Sequence, residues 1–185
     1  MQRFDGYSGT AAIASGVVAI LAGLYQQSVV PDPTGSAQRH VYLAIWLACL
    51  GAALAVNYGA IFAWRVRNRG EQAARQFRTV GMSIVPALAA GAVITLALVS
   101  RDAIDLLPGM WCATYALGLF ASRAMVPRAV VAVAVAFGAA ATMLLLAPQI
   151  RPLSWWIMPA AFGFGQIAIG AIVRADMHSE GDTTV

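Results

Sequence analysis

The stretch LLPGMWCATYALGLFASR, residues 106–123, carries no charge before its last residue and directly follows an aspartate. The uncharged part is close to the minimum of about 17 residues for a helix that crosses a bilayer. It also contains Cys112, Thr114 and Tyr115, a more varied chemistry than other apolar segments of the chain show. We therefore predict a transmembrane helix over 106–122 that neighbouring helices surround, with these three side chains lining any cavity.

Five further uncharged segments flank this stretch, two of them after it and three before it. The chain is 60% hydrophobic and 11% charged, with a mean hydropathy of +0.72, whereas about a quarter of the residues in soluble domains are charged. We predict an all-α fold, a polytopic transmembrane bundle of six helices spanning residues 1–173, followed by a short polar tail over 174–185. The predicted helices cover residues 9–29, 41–64, 79–100, 106–122, 129–147 and 153–173.

The first segment also has features of a signal peptide, because ASG at 14–16 and LAG at 21–23 offer small residues to a peptidase. Its length exceeds the roughly 7–15 apolar residues of such peptides, so we expect a retained first helix.

Arginine placement predicts the orientation of the bundle. An even number of spans puts both termini on one side, and that side collects nine arginines against three on the other. Because basic residues are enriched in cytoplasmic loops, we predict cytoplasmic termini and a multi-pass location in the cell inner membrane. The largest cluster, which we expect to contact lipid or a partner, comprises Arg65, Arg67, Arg69, Arg75 and Arg78. Nucleic acid is not expected, because this cluster would lie at the membrane surface.

The polar residues inside the predicted spans are all neutral, since no span contains Asp, Glu, Lys, Arg or His. Counting 1.5 Å per residue, Asn57 and Gln166 fall at similar depths, and Pro86 frees a helical carbonyl near Ser83. These four residues predict a polar node at the floor of a cavity. Interhelical hydrogen bonds that fix packing are the alternative interpretation.

The two cysteines, Cys49 and Cys112, both lie in apolar segments, so CxxC redox motifs and zinc ribbons are excluded. They could meet near the outer surface and serve a thiol and quinone redox enzyme, but isolated thiols among apolar residues favour simple burial. His40 with Asp32, Asp102 and Asp105 could gather at the outer mouth and bind a metal ion, although Asp105 fits the start of a helix better. We predict no metal and no cofactor.

Small residues recur at four-residue spacing in most of the predicted helices, which allows close helix packing in lipid. This pattern predicts packing within the bundle or a homo-oligomer through one of the faces. The residues are Ala12 and Gly16, Ala19 and Gly23, Gly51, Ala55 and Gly59, Ala87 and Gly91, Ala134 and Gly138, and Ala161 and Gly165.

Three stretches resemble a loose group of small bacterial six-helix integral membrane proteins without assigned activity. They are SGVVAILAGLY at 15–25, LLPGMWCATYALGLFASR at 106–123 and WWIMPAAFGFGQIAIGAIVR at 155–174. The resemblance implies the same fold and a membrane partner for a regulatory or stress system, since members of that group look as though they accompany winged-helix regulators. It implies no functional residues.

Composition and motifs together predict a non-catalytic integral membrane protein that acts as an accessory or sensing partner. A transporter or passive pathway for a small neutral solute is the alternative, with the redox enzyme third.

Overall fold

The computed structural model describes residues 8–68, 70–124, 126–147 and 149–182. These residues form six α-helices and contain no strand, so the predicted all-α class is confirmed. Three helical segments are long and apolar enough to cross a membrane: Gly9–Val29, Ser36–Arg67 and Ile104–Ala121. The helices are α1 (Gly9–Val29), α2 (Ser36–Arg67), α3 (Glu71–Ser100), α4 (Leu107–Ala121), α5 (Val130–Leu146) and α6 (Phe164–Asp182), with a 3-10 turn at Ile104–Leu106 and a π-helical turn at Pro159–Gly163.

The arginine-rich segment between the second and third helices is shorter than the sequence predicted. The expected helices at 41–64 and 79–100 extend to Ser36–Arg67 and Glu71–Ser100, so only three residues separate them. Apolar residues mark only the lipid-compatible part of a helix, whereas Arg, Gln and Glu are good helix formers outside it. Glu71 also lies in the first turn of α3, where a negative charge interacts favourably with the helix dipole.

The last helix differs from its prediction at both ends. The expected span at 153–173 contains the π-helical turn Pro159–Gly163 before α6 begins. Pro159 lacks a backbone N–H and therefore disturbs the regular hydrogen bonding of an α-helix. Most π-helical segments are single turns of this kind within α-helices. The residues after 173, expected to be a frayed tail, continue α6 as far as Asp182.

The helices pack in the spatial order α2, α1, α6, α5, α4, α3, and the contact between α2 and α3 is sparse. Ion pairs join the three connections at one end, which we call the acidic end: Arg39 contacts Asp105 at 3.1 Å, and Arg151 contacts Asp32. The opposite end, which we call the arginine end, holds the end of α2, the start of α3, the end of α4, the start of α5 and the start of α1 beside Arg174.

Glycines at seven-residue spacing bring α1 and α6 together. A Cβ at Gly16 would lie 2.6 Å from the carbonyl oxygen of Gly163, and a Cβ at Gly9 would lie 2.7 Å from that of Gly170. The predicted small-residue packing in α1 is therefore realised against α6. The small residues of α2 make no such contact, because a Cβ added at Gly51 or at Gly59 would have no atom within 4 Å.

Candidate functional site

Gln26, near the end of α1, is completely buried, and both ends of its side-chain amide are engaged. The indole Nε1 of Trp46 in α2 donates to Gln26 Oε1 at 2.8 Å. Gln26 Nε2 donates to the carbonyl oxygen of Leu153 at 2.8 Å, in the segment that precedes the π-helical turn. One side chain thus joins α1, α2 and the connection between α5 and α6.

Sequence reasoning missed Gln26, although a signal was present. Gln26 lies seven residues after Ala19 and three after Gly23, so the helical period places it on the small-residue face that packs inward. The next residue, Gln27, is exposed. The signal that Gln26 is buried is therefore its position on the small-residue face of the helix.

Next to this network, Tyr42 is completely buried, and its hydroxyl has no hydrogen-bond partner. Its ring lies 6.3 Å from that of Trp46, centroid to centroid. Both rings belong to an apolar cluster with Ile104 and Leu107, which links α2 to the start of α4. The acidic end is therefore held together by an apolar cluster as well as by ion pairs.

Arg39 lies in the first turns of α2 and fixes the α3–α4 connection. Its guanidinium contacts Asp105 at 3.1 Å and Asp102 at 3.8 Å. Asp102 adopts a φ of 54°, a left-handed conformation that aspartate tolerates better than most residues. His40 is exposed, and its Nδ1 lies 2.7 Å from the carbonyl oxygen of Ser36. The acidic residues considered as metal ligands are thus used in ion pairs with arginine.

Among the described residues, no group of three or more His, Cys, Asp or Glu side chains could hold a metal ion. Cys49 and Cys112 are both free thiols. Cys49 packs against the cluster around Trp46, whereas Cys112 is completely buried in a second cluster with Phe137 and Ile157.

The predicted polar node is divided between two places in the structure. Asn57 of α2 donates through Nδ2 to Ser15 Oγ of α1 at 2.6 Å, and also to the carbonyl oxygen of Ala53 at 2.9 Å. Ser15 is itself buried and donates to the carbonyl oxygen of Ala11. Asn57 therefore ties α2 to α1.

Gln166 has a different partner. Its Nε2 donates to the hydroxyl of Tyr115 in α4 at 2.7 Å, and its Oε1 is buried without a partner. Tyr115 also packs with Phe137 and Phe162, with ring centroids 4.7 Å and 5.3 Å away. Two helices, α4 and α5, and the π-helical turn before α6 meet at this aromatic group.

The remaining members of the predicted node lie on α3. Pro86 is exposed there, and the Met82 side chain, four residues earlier, is 70% exposed. The side chain of Ser83 is outside the part of the chain that the structure describes. The structure brings Pro86 to the outside of the bundle and Asn57 and Gln166 to its interior.

The polar residues of α4 mostly support packing. Thr114 Oγ1 donates back to the carbonyl oxygens of Met110 and Trp111. Trp111 Nε1 donates to Thr95 Oγ1 of α3 at 2.9 Å. The expectation that other helices surround α4 is not met on one face, where Leu117 is 67% exposed.

The predicted arginine cluster is distributed over two helix ends. Arg65 and Arg67 belong to the last turn of α2 and donate to the carbonyl oxygens of Asn68 and Ala63. Arg75 and Arg78 are exposed on the first turns of α3. Arg69 lies outside the described residues. The described arginines place positive charge at the end of the bundle where the turn between α2 and α3 lies.

The geometry defines the class only coarsely, as an all-helical protein with three helices able to cross a membrane. Comparison with protein-family models, with curated proteins and with solved structures gives no match for this chain.

Proposed function

We propose that this chain is a non-catalytic integral membrane protein with six spans and cytoplasmic termini, located in a bacterial inner membrane. It acts as an accessory or sensing partner of another membrane-embedded protein. The composition supports the membrane location, and the excess of arginine at one end supports the orientation.

The observation that carries the proposal is the unoccupied helix-packing face of α2. Only 11% of an apolar 18-residue section of α2 is buried, compared with 44% of the corresponding section of α1. The small residues Gly51, Ala55 and Gly59 recur every fourth residue on this exposed face. Such spacing allows two helix backbones to approach closely in lipid, so the α2 face suits a helix of a partner protein.

The interior polar groups support a structural rather than a catalytic role. Gln26, Asn57 and Trp111 each bond to a residue of another helix or connection. A catalytic acid, base or nucleophile must be able to approach a substrate, whereas these side chains hold the helices together.

Affinity purification from native membranes in a mild detergent tests this proposal. The tagged wild-type protein should retain one stoichiometric membrane protein, identified by mass spectrometry. A Gly51→Leu and Gly59→Leu double variant should lose at least nine-tenths of it, because two leucines would hold the helices apart. Ala139→Leu, on an exposed position of α5, should retain it. Recovery of the wild-type protein without any stoichiometric partner would refute the accessory role.

Gln166 favours a second candidate function, passage of a small neutral solute. Its Oε1 is a buried acceptor without a partner, and such a group can accept a hydrogen bond from a passing solute. In proteoliposomes, glycerol or urea flux above that of empty vesicles should fall at least tenfold in Gln166→Leu. Equal flux in the two proteins would remove this candidate.

A further inference from the structure

An open groove runs along the outside of the bundle between α4 and α5. Its volume is about 430 Å³. Ala113, Ala116, Gly138 and Ala141 are among the residues that line it, and the absence of large side chains at these positions creates the depression. A Cβ at Gly138 would meet no atom within 4 Å, so the space beside this glycine is empty.

The chemistry of the groove excludes a polar occupant. Its single hydroxyl belongs to Thr142, which already donates to the carbonyl oxygen of Gly138 at 3.0 Å. The walls include Leu117 and Leu146, which are 67% and 76% exposed. An apolar chain can fill this space without leaving a polar group unpaired.

Positive charge lies at the end of the groove nearest the α4–α5 turn. Phe120 lines that end of the groove, and Arg123 donates through Nη1 to the Phe120 carbonyl oxygen at 3.0 Å. Arg128 belongs to the same turn, and both arginines are exposed. Residues 122–129 include no Asp or Glu. A phosphate beside Phe120 would lie near the guanidinium of Arg123, and guanidinium groups bind phosphate oxygens well.

We propose that this groove holds an acyl chain of an anionic phospholipid, with its phosphate bound by Arg123. The inference rests on the membrane location in the proposed function, but not on the accessory role. The groove covers about 10 Å of α4, from Ala113 to Phe120 at 1.5 Å per residue. Its α5 wall, from Gly138 to Leu146, lies in the half of α5 away from the α4–α5 turn, so the groove takes a part of the chain that reaches into the bilayer.

The headgroup determines the selectivity, since an acyl chain is in apolar surroundings both in the bilayer and in the groove. Each arginine near an anionic lipid contributes about a fivefold increase in affinity. The groove adds a fixed position beside the arginines, which a flat helix surface does not offer.

Native mass spectrometry of the detergent-purified, delipidated protein tests the proposal. We expect one phosphatidylglycerol to bind per chain, at least fivefold tighter than phosphatidylcholine with the same acyl chains. Glycerol 3-phosphate, which has the headgroup charge without the chains, should not bind detectably at the same concentration.

Two pairs of variants separate the groove from the charges. Gly138→Leu should weaken phosphatidylglycerol binding at least tenfold, whereas Ala139→Leu, exposed on the same helix but outside the groove lining, should change it less than twofold. Arg123→Gln should weaken binding about fivefold, whereas Arg174→Gln, which removes an equal charge from an exposed position of α6, should change it less than twofold.

Three results would overturn the proposal. The first is equal binding of the two lipids, and the second is unchanged binding in Gly138→Leu. The third is a dimer that Gly138→Leu dissociates, which would assign the groove to a second copy of the chain. Failure of the protein to fractionate with membranes would instead refute the proposed membrane location, before any lipid is added. Lipid binding without a protein partner would leave the groove assignment intact and refute only the accessory role.

Discussion

Gln26 shows how one buried amide can determine the geometry of three segments. A side-chain amide has two donors and an acceptor, and in hydrocarbon each must find a protein partner. Trp46 and the Leu153 carbonyl supply partners for Oε1 and Nε2 at distances of 2.8 Å. Because those partners come from different segments, the bonds form only when α1, α2 and the connection before α6 are in place.

We therefore expect Gln26→Leu to destabilise the protein by about 2 kcal/mol, since Trp46 Nε1 and the Leu153 carbonyl would both remain buried without partners. The measurement is the free energy of unfolding in mixed detergent micelles. Gln27→Leu, at the exposed neighbouring position, should change it by less than about 0.5 kcal/mol. Equal effects of the two substitutions would show that the buried bonds contribute nothing specific.

The pair of Asn57 and Ser15 makes a separate prediction about coupling. The bond of 2.6 Å links α2 to α1, so Asn57→Ala and Ser15→Ala should each destabilise the protein. Their combination should cost less than the sum of the two. We expect a coupling energy of about 0.6 kcal/mol from a double-mutant cycle, the average for interhelical hydrogen bonds in membranes, whose largest values reach about 1.7 kcal/mol. Strict additivity would indicate that the two side chains do not interact in the membrane.

The sequence predicted that Asn57 and Gln166 would be important interior groups, but not their partners. The depth of a residue in the membrane follows from counting residues along its helix, and this count placed the two amides at similar depths. The rotation of each helix about its axis determines the partner, and rotation depends on packing with all neighbours. Ser15 and Tyr115 were therefore not identifiable as partners from the composition of their segments.

At the scale of elements, the contact between α1 and α6 depends on glycines that no larger residue can replace. A Cβ at Gly16 would lie 2.7 Å from Ile167 Cγ1 and 3.0 Å from Ile167 N. The second of these is a backbone atom, so relief requires a shift of the whole helix. Overpacking of this kind costs about 1–3 kcal/mol.

Gly16→Val should accordingly lower the free energy of unfolding by at least about 2 kcal/mol. It should also reduce cross-linking between cysteine pairs introduced in α1 and α6. The matched control is Gly51→Val, where the change in helix propensity is the same but a Cβ has no atom within 4 Å. A similar loss of stability in both variants would show that the effect does not come from the contact between α1 and α6.

Helix existence was predictable because long apolar runs have few other structures open to them in a membrane. The ends of α4 and α5 lie within one residue of the predicted ones, since charges and prolines flank those runs. The extensions of α2 and α3 were missed because polar residues also form helix beyond the apolar section. The π-helical turn beside Pro159 was missed because a proline marks an irregularity but not its type.

Across the whole molecule, the arrangement of helices in space did not follow from the sequence. Apolar helices attract one another weakly and without direction in lipid, so neighbours are decided by glycine contacts and a few hydrogen bonds. The two ends of the molecule, in contrast, can be told apart in the sequence by their charged residues. Asp32, Asp102 and Asp105 pair with Arg39 and Arg151 at the acidic end, while the exposed arginines lie mainly at the other.

This asymmetry makes the membrane orientation testable with two matched glycines. Gly35 and Gly70 precede α2 and α3 as their N-caps, at opposite ends of the bundle, and a Cβ at either would have no atom within 4 Å. In a background with Cys49→Ala and Cys112→Ala, Gly35→Cys should react with a membrane-impermeant maleimide in intact spheroplasts. Gly70→Cys should react only after permeabilisation, because the arginine end remains in the cytoplasm. The reverse pattern would invert the proposed orientation, and labelling of both cysteines in intact spheroplasts would contradict an odd number of membrane crossings between them.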